Sequence, residues 1–195
     1  MSFKGLALTG KPGVGKSTIF NAIISNLRNY ECKVGGFSAP EVRVSGRRVG
    51  FLIVDLETER SGWLARAGYH SSIKIGRYGV IVDDVIKIGV PALKRALAYS
   101  HIIAIDEIGP MELNVEDLRN AIIEALSSDK IKLLVFHRLL PKRDPEVHML
   151  LRNLKIIEIT FENREEILKK VNEYSRWLAS EAGCNQRGKN VTLDK

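Results

Sequence analysis

Residues 10–17 read Gly10-Lys11-Pro12-Gly13-Val14-Gly15-Lys16-Ser17. This is the spacing G-x-x-x-x-G-K-S, a loop whose backbone can wrap around phosphate groups. The apolar residues Phe3, Leu6, Ala7 and Leu8 precede it and read as a strand over residues 3–8. Helical spacing follows, from Lys16 to about Asn29. Strand, glycine-rich turn and helix are the context this motif requires. Glycines at 10, 13 and 15 let the backbone wrap with its N–H groups pointing inward, forming an anion nest. The new helix adds the positive end of its dipole. Lys16 reaches the terminal phosphates of a bound nucleotide, the Ser17 hydroxyl ligates Mg²⁺, and Thr18 meets the α-phosphate.

Outward from the loop, the chain alternates strands and helices, with one interruption. A strand is expected near residues 32–37. Glu41-Val42-Arg43-Val44 then alternates polar and apolar, Ser45-Gly46 signals a turn, and residues 47–56 resume as strand. This is an antiparallel hairpin, which residues 63–67 and 72–75 extend. Residues 83–97 read as a helix in two pieces jointed at Gly89 and Pro91. Residues 102–105 and 132–136 are apolar runs of the kind buried in parallel sheets. Residues 114–126 form an amphipathic helix with Asn114 as its cap. Residues 139–145 read as a loop, residues 155–159 as the last strand. The final helix opens at Asn163, with Glu166 as capping-box partner, and runs to about Ala182. The pattern predicts an α/β fold of three layers, a mostly parallel central sheet carrying an inserted antiparallel hairpin layer at about residues 38–75. One domain spans 1–182, and the polar tail 183–195 is expected to be flexible.

The second half of a nucleotide site is Ile102-Ile103-Ala104-Ile105-Asp106-Glu107. An apolar strand ends in two carboxylates. Asp106 is placed to hold Mg²⁺ through its water shell, and Glu107 to orient an attacking water. His137 ends a neighbouring strand and is a candidate sensor of the γ-phosphate, with Arg138 a candidate for transition-state charge. Arg43, Arg47, Arg48 and Arg77 are other arginines that could approach the phosphates, each read first as a surface residue. His70, His101 and His148 have no ligand spacing.

Composition narrows the setting. The 195 residues suit one domain, and 45% hydrophobic content supports a core. No run approaches the ~20 apolar residues of a membrane span. The N-terminus leads straight into the first strand, so no signal peptide is expected. Cys32 and Cys184 are far apart and outside any C-x-x-C pattern, which reads as a reducing, cytoplasmic interior with neither a metal site nor a disulfide framework. The formal net charge of +7 suits anionic partners, nucleotides first. Nucleic acid fits the charge as well, but no arginine-rich tract or RNA-binding motif accompanies it, and a solvated basic surface is the simpler reading.

Several blocks together resemble one family. They are Gly35-Gly36-Phe37, Pro40-Glu41-Val42-Arg43, Gly46-Arg47-Arg48-Val49-Gly50-Phe51, Gly76-Arg77-Tyr78-Gly79-Val80 and Ile88-Gly89-Val90-Pro91-Ala92. Asp106-Glu107-Ile108-Gly109-Pro110-Met111-Glu112-Leu113 is the most specific; His137-Arg138 and Thr160-Phe161-Glu162-Asn163-Arg164 complete the order. The chain is similar over about residues 3–175 to the small nucleoside-triphosphatases of thermophiles, whose human relative is the cancer-related nucleoside triphosphatase. That resemblance implies a RecA-like sheet and slow, Mg²⁺-dependent hydrolysis of ATP, GTP and other nucleoside triphosphates with low base selectivity. It maps nucleotide contacts to Gly10–Thr18 and to Asp106, Glu107, Ile108 and Gly109, with Glu112 near the site. The chain departs from the family pattern at Leu139-Leu140 and in its polar tail. Two alternatives stay open: a kinase with an unidentified acceptor, and an ATPase stimulated by nucleic acid.

Overall fold

The computed structural model describes residues 3–184. The chain begins with β1 (Gly5–Gly10), which passes through the glycine-rich loop into α1 (Lys16–Arg28). β2 (Val34–Ser38) follows, then the antiparallel strands β3 (Glu41–Val44), β4 (Arg47–Asp55), β5 (Ser61–Ala67), β6 (Lys74–Ile75) and β7 (Tyr78–Val80). A short α2 (Val82–Asp84), a π-helical turn at Val85–Gly89 and α3 (Val90–Tyr99) form one continuous helical stretch. Gly89 keeps right-handed helical angles there (φ −66°, ψ −45°), so the joint expected at Gly89 and Pro91 becomes a widened turn and not a break. β8 (Ile102–Ile108) leads to α4 (Pro110–Leu113) and α5 (Glu116–Ser127). β9 (Ile131–Phe136), α6 (Leu140–Arg143), α7 (Pro145–Met149), β10 (Lys155–Ile159), α8 (Arg164–Lys169) and α9 (Val171–Glu181) complete the order.

All described strands join one sheet, in the order β10-β1-β9-β8-β2-β4-β5-β7-β6, with β3 paired to β4. From β10 to β2 every pairing is parallel. From β2 onward every pairing is antiparallel. The inserted strands therefore continue the parallel sheet past its β2 edge. Continuous apolar strands such as Ile102-Ile103-Ala104-Ile105 are buried on both faces because helices cover both. One face packs α1 and α9 around Phe20, Ile23, Leu27 and Leu178. The other packs α3 and α5 around Leu93, Leu118 and Ile122.

Two helix starts differ from the sequence reading. Asn114 does not cap α5, because residues 110–113 already coil as α4; its Nδ2 donates to the Pro110 carbonyl (2.5 Å) instead. Asn163 lacks the capping box with Glu166, whose carboxylate pairs with Lys170 (2.6 Å) across the joint between α8 and α9. The segment 139–145 is also more ordered than a loop, forming α6 and the start of α7.

The cysteine reading is overturned. Helix α9 packs along α1, where Asn26 Nδ2 donates to Asn172 Oδ1 (2.6 Å). That packing brings Cys184, three residues beyond α9, to the turn after α1. Cys32 and Cys184 lie with Cα atoms 5.3 Å apart and are joined as a disulfide. The polar tail expected beyond residue 183 lies, from Asn185 on, outside the described residues. Thiol titration of the denatured, unreduced protein should find no free cysteine. Cys184→Ser should lower the melting temperature, since closing so long a loop is typically worth ~2–4 kcal/mol; an unchanged melt and two free thiols would contradict the pairing.

Candidate functional site

The phosphate loop is shaped by β10 as much as by its own residues. Gly10 stands opposite Ile159 in the parallel register. A Cβ at Gly10 would lie 2.2 Å from the Ile159 carbonyl oxygen, so only glycine lets the two strands close. Gly15 (φ +102°) meets nothing within 4 Å; its constraint is the left-handed backbone that turns the loop into α1. Val14, 1% exposed, pins the loop to the core beneath. Helix α1 starts with no side-chain cap and no acidic residue in its first turn. Its first N–H groups are left to an anion, and nothing negative competes for the dipole.

The loop lysine is folded back onto its own loop. Lys16 Nζ donates to the carbonyls of Gly10 (3.2 Å) and Lys11 (3.3 Å). It also stands 3.9 Å from Glu107 Oε2. That distance joins the two sequence motifs across the sheet, since β9 lies between β1 and β8. Ser17 hydrogen-bonds the Asp106 carboxylate, which is 8% exposed. Thr18 lies on the exposed side of the first turn of α1.

Three carboxyls crowd the end of β8. Burial pushes Asp106 upward, against the Ser17 hydrogen bond and the Lys16 charge. Burial raises Glu107 to about 7, with the Asp106 charge adding to it and Lys16 opposing. Glu112, fully enclosed, is raised to about 8 by burial and then by the Glu107 charge. Its Oε2 accepts from Gly109 N–H (3.1 Å), which closes the short α4 back on β8. Gly109 lies close to both glutamates: a Cβ added there would stand 3.2 Å from Glu112 Oε2 and 3.4 Å from Glu107 Oε1. Ile108 is buried and contributes its carbonyl, which accepts from His137 N–H (3.0 Å).

His137 therefore lies against the carboxylate cluster. Burial lowers its pKa first, and the charges of Arg143, Lys16 and Arg138 lower it further. Arg138 itself is exposed. Arg43 and Arg77 are engaged within the antiparallel strands, on Gly46 and Arg48 carbonyls (2.9 and 2.6 Å). Arg48 pairs with Glu41 (3.1 Å). His101 Nδ1 accepts from Lys33 N–H (3.0 Å), a structural use.

A cavity of ≈ 290 Å³ opens beside Gly109 and His137. Asn114, Arg119, Arg143 and Asp144 form its polar side. Sequence reasoning gave Arg119 no role, and took Asp144 only as the end of a basic loop 139–144 that could close over an acceptor. Arg119 pairs with Asp144 (3.2 Å) and Glu146 (3.0 Å), joining α5 to α7.

The donors at the loop suit Mg²⁺. Among the described residues no group of three or more His, Cys, Asp or Glu side chains could hold a metal by itself. Mg²⁺ does not need one: it takes one or two protein oxygens and completes its shell with water and substrate phosphates. Ser17, with Asp106 hydrogen-bonded to it and acting through a water, would fit that requirement.

Loop, buried strand-end carboxylates and parallel sheet define a P-loop NTPase that carries a glutamate next to its acidic strand residue. The model of a family described as NTPase matches residues 5–172. The chain belongs to that nucleoside-triphosphatase family. It is 38% identical over 167 residues to the nucleoside-triphosphatase THEP1 of Sulfurisphaera tokodaii, covering 86% of this chain and 92% of the relative. It is 40% identical over 168 residues to that of Ignicoccus hospitalis, covering 86% and 94%. The crystal structure of THEP1 from the hyperthermophile Aquifex aeolicus superposes with a TM-score of 0.73 at 29% identity, over 86% of this chain and 96% of that one. The solution structure of a human cancer-related nucleoside triphosphatase gives 0.70 at 31% identity, over 86% and 94%. Among the described residues, no helix is long and apolar enough to cross a membrane.

Glu112 makes a stability prediction whose sign follows from its environment. Its folded pKa is raised above the ordinary glutamate value, so the native state binds more protons than the unfolded chain between about pH 4.5 and 8. Stability from this group is present at the acid end and falls as pH rises through that window. Melting curves of the metal-free protein should show Glu112→Gln gaining on wild type from pH 5 to 8. Parallel curves would contradict a buried, proton-holding Glu112.

Proposed function

We propose that this chain, in one domain spanning residues 1–182, hydrolyses nucleoside triphosphates to the diphosphate and phosphate, with Glu107 orienting the water. The observation that carries it is the 3.9 Å approach of Glu107 Oε2 to Lys16 Nζ at the mouth of the loop. A polyphosphate laid on the loop amides brings its terminal group between those two side chains. Lys16 then exchanges the carbonyls of Gly10 and Lys11 for phosphate oxygens, a short swing for a flexible ammonium. Ser17 and, through water, Asp106 would hold Mg²⁺, which when bound neutralises charge on the β- and γ-oxygens.

The chemistry left to the protein is positioning. The water oxygen attacks the γ-phosphorus as the bond to the β–γ bridging oxygen breaks. Glu107 accepts the hydrogen bond of that water and takes its proton as the new P–O bond forms. Lys16 and the loop N–H groups carry the charge that moves onto the leaving diphosphate. Gly109 leaves room for both Glu107 and Glu112, and Glu112 in its protonated form adds no second negative charge beside the γ-phosphate. His137, the residue after β9, would sense the same group from beside Ile108, whose carbonyl accepts its N–H.

A cytoplasmic setting suits the reading, because intracellular proteins of hyperthermophiles do carry disulfides. One relative above comes from a hyperthermophile.

The cavity between Gly109 and Arg143 favours a second reading. A small acceptor seated there would face the γ-phosphate in place of water, making the chain a phosphotransferase. Mass spectrometry of reactions containing candidate hydroxyl acceptors separates the two: a phosphorylated acceptor formed in step with nucleotide loss favours transfer, and free phosphate alone favours hydrolysis.

For the main reading, Glu107→Gln should bind a nucleoside triphosphate with Mg²⁺ about as well as wild type while phosphate release drops ~10²–10⁴-fold. Lys16→Ala should lose tight triphosphate binding itself. Phosphate release by Glu107→Gln at the wild-type rate would remove Glu107 from the reaction.

A further inference from the structure

The two sides of the phosphate loop are furnished differently. Asp106 and Glu107 stand on the side of β9 and β8, so the terminal phosphate belongs there. A nucleotide lying along the loop must then send its sugar and base to the other side, over the end of β10. That strand is the sheet edge and pairs only with β1 among the described strands.

What stands at that end is Phe161, a large aromatic side chain left 60% exposed. It lies two residues beyond Ile159, the register partner of the first loop glycine. The segment is close enough for the Lys11 charge to act on Glu162, whose carboxyl lies below its ordinary range, held there first by Thr160. The ring is not exposed by a loose loop. Thr160 N–H donates to Asn163 Oδ1 (2.8 Å), Asn163 N–H to Thr160 Oγ1 (3.3 Å), and Asn163 Nδ2 to the Glu158 carbonyl (2.9 Å). These bonds fix the turn that presents it. The Arg164 guanidinium lies 5.8 Å from the ring centroid, inside cation–π range.

We infer that Phe161, backed by Arg164, is the platform on which the nucleobase stacks. This rests on the nucleotide reading of the loop and names where the base goes. An aromatic face accepts any base, because every base has a π-face and stacking reads no hydrogen-bond pattern. A site built this way grips purines and pyrimidines alike, with affinity graded by the area of ring overlap. It makes the loop responsible for the phosphates and Phe161 for the nucleoside, as two separable contributions.

The test exploits a ligand that has phosphates and no base. Calorimetric titration compares wild type, Phe161→Ala and Phe161→Trp, each with Mg²⁺ and either a non-hydrolysable ATP analogue or inorganic tripolyphosphate. Phe161→Ala should bind the analogue about tenfold more weakly, in the range that removing one stacking ring produces. Its tripolyphosphate affinity should match wild type, and Phe161→Trp should restore the analogue. Equal analogue affinity in wild type and Phe161→Ala would overturn the platform alone. An equal loss for both ligands would overturn it too, by showing that residue 161 acts through the loop. Wild type binding neither ligand would take down the nucleotide reading and this inference with it. A melt of Phe161→Ala close to that of wild type, expected for so exposed a ring, confirms that the comparison is made on folded protein.

Discussion

The approach of the Lys16 ammonium to the Glu107 carboxylate, 3.9 Å across the top of the sheet, is the contact around which the molecule is arranged. Lys16 begins α1, immediately after the loop; Glu107 belongs to a strand two places along the sheet. For the two to meet, β1 and β8 must end at the same height with one strand between them. β9 supplies that spacing, and the parallel registers of β1 and β8 on β9 set the height. The helices on both faces follow from those parallel crossovers. A lysine beside three partly or fully buried carboxyls is a concentrated electrostatic arrangement. Burial eases it by favouring the protonated form of these carboxyls, Glu112 included.

The same crowding gives the site its division of labour. The side toward β8 is acidic and enclosed, suited to metal, water and the terminal phosphate. The loop in the middle offers only N–H groups and an ammonium, since α1 has no acidic residue in its first turn. The side toward β10 is open and aromatic. Charge therefore changes along the line a nucleotide would occupy, from carboxylate to amide to ring. Past β8 the cavity lined by Asn114, Arg119, His137 and Arg143 extends that line by one further compartment.

Much of this could be read in the chain because it is written locally. The loop, the apolar run before Asp106 and the turn at Ser45-Gly46 each place their element through neighbouring residues. Asp106 and Glu107 close β8 as read, except that the strand runs one residue further, to Ile108; a sequence run cannot show where hydrogen bonding to β9 stops. Asn114 and Asn163 looked like helix caps, but each side chain found a nearer backbone partner. The Cys32–Cys184 bridge spans a sequence separation of 152, and only the packing of α9 on α1 brings its ends together. The cavity is assembled from residues 109–114, 119 and 137–144, three segments with no shared pattern. Phe161 was visible as a letter in a longer block, but its exposure beside the loop depends on β10 lying against β1.

What the account requires most is that a polyphosphate sit on the amides of the loop with its far end toward β8. Two-dimensional ¹⁵N–¹H spectra of the labelled protein, recorded while adding a non-hydrolysable triphosphate with Mg²⁺, read this residue by residue. The account predicts large, saturable shifts at the amides of Gly13 through Thr18 and at Glu107 and Gly109. Saturable shifts confined to other parts of the sheet, with those amides unmoved, would contradict it.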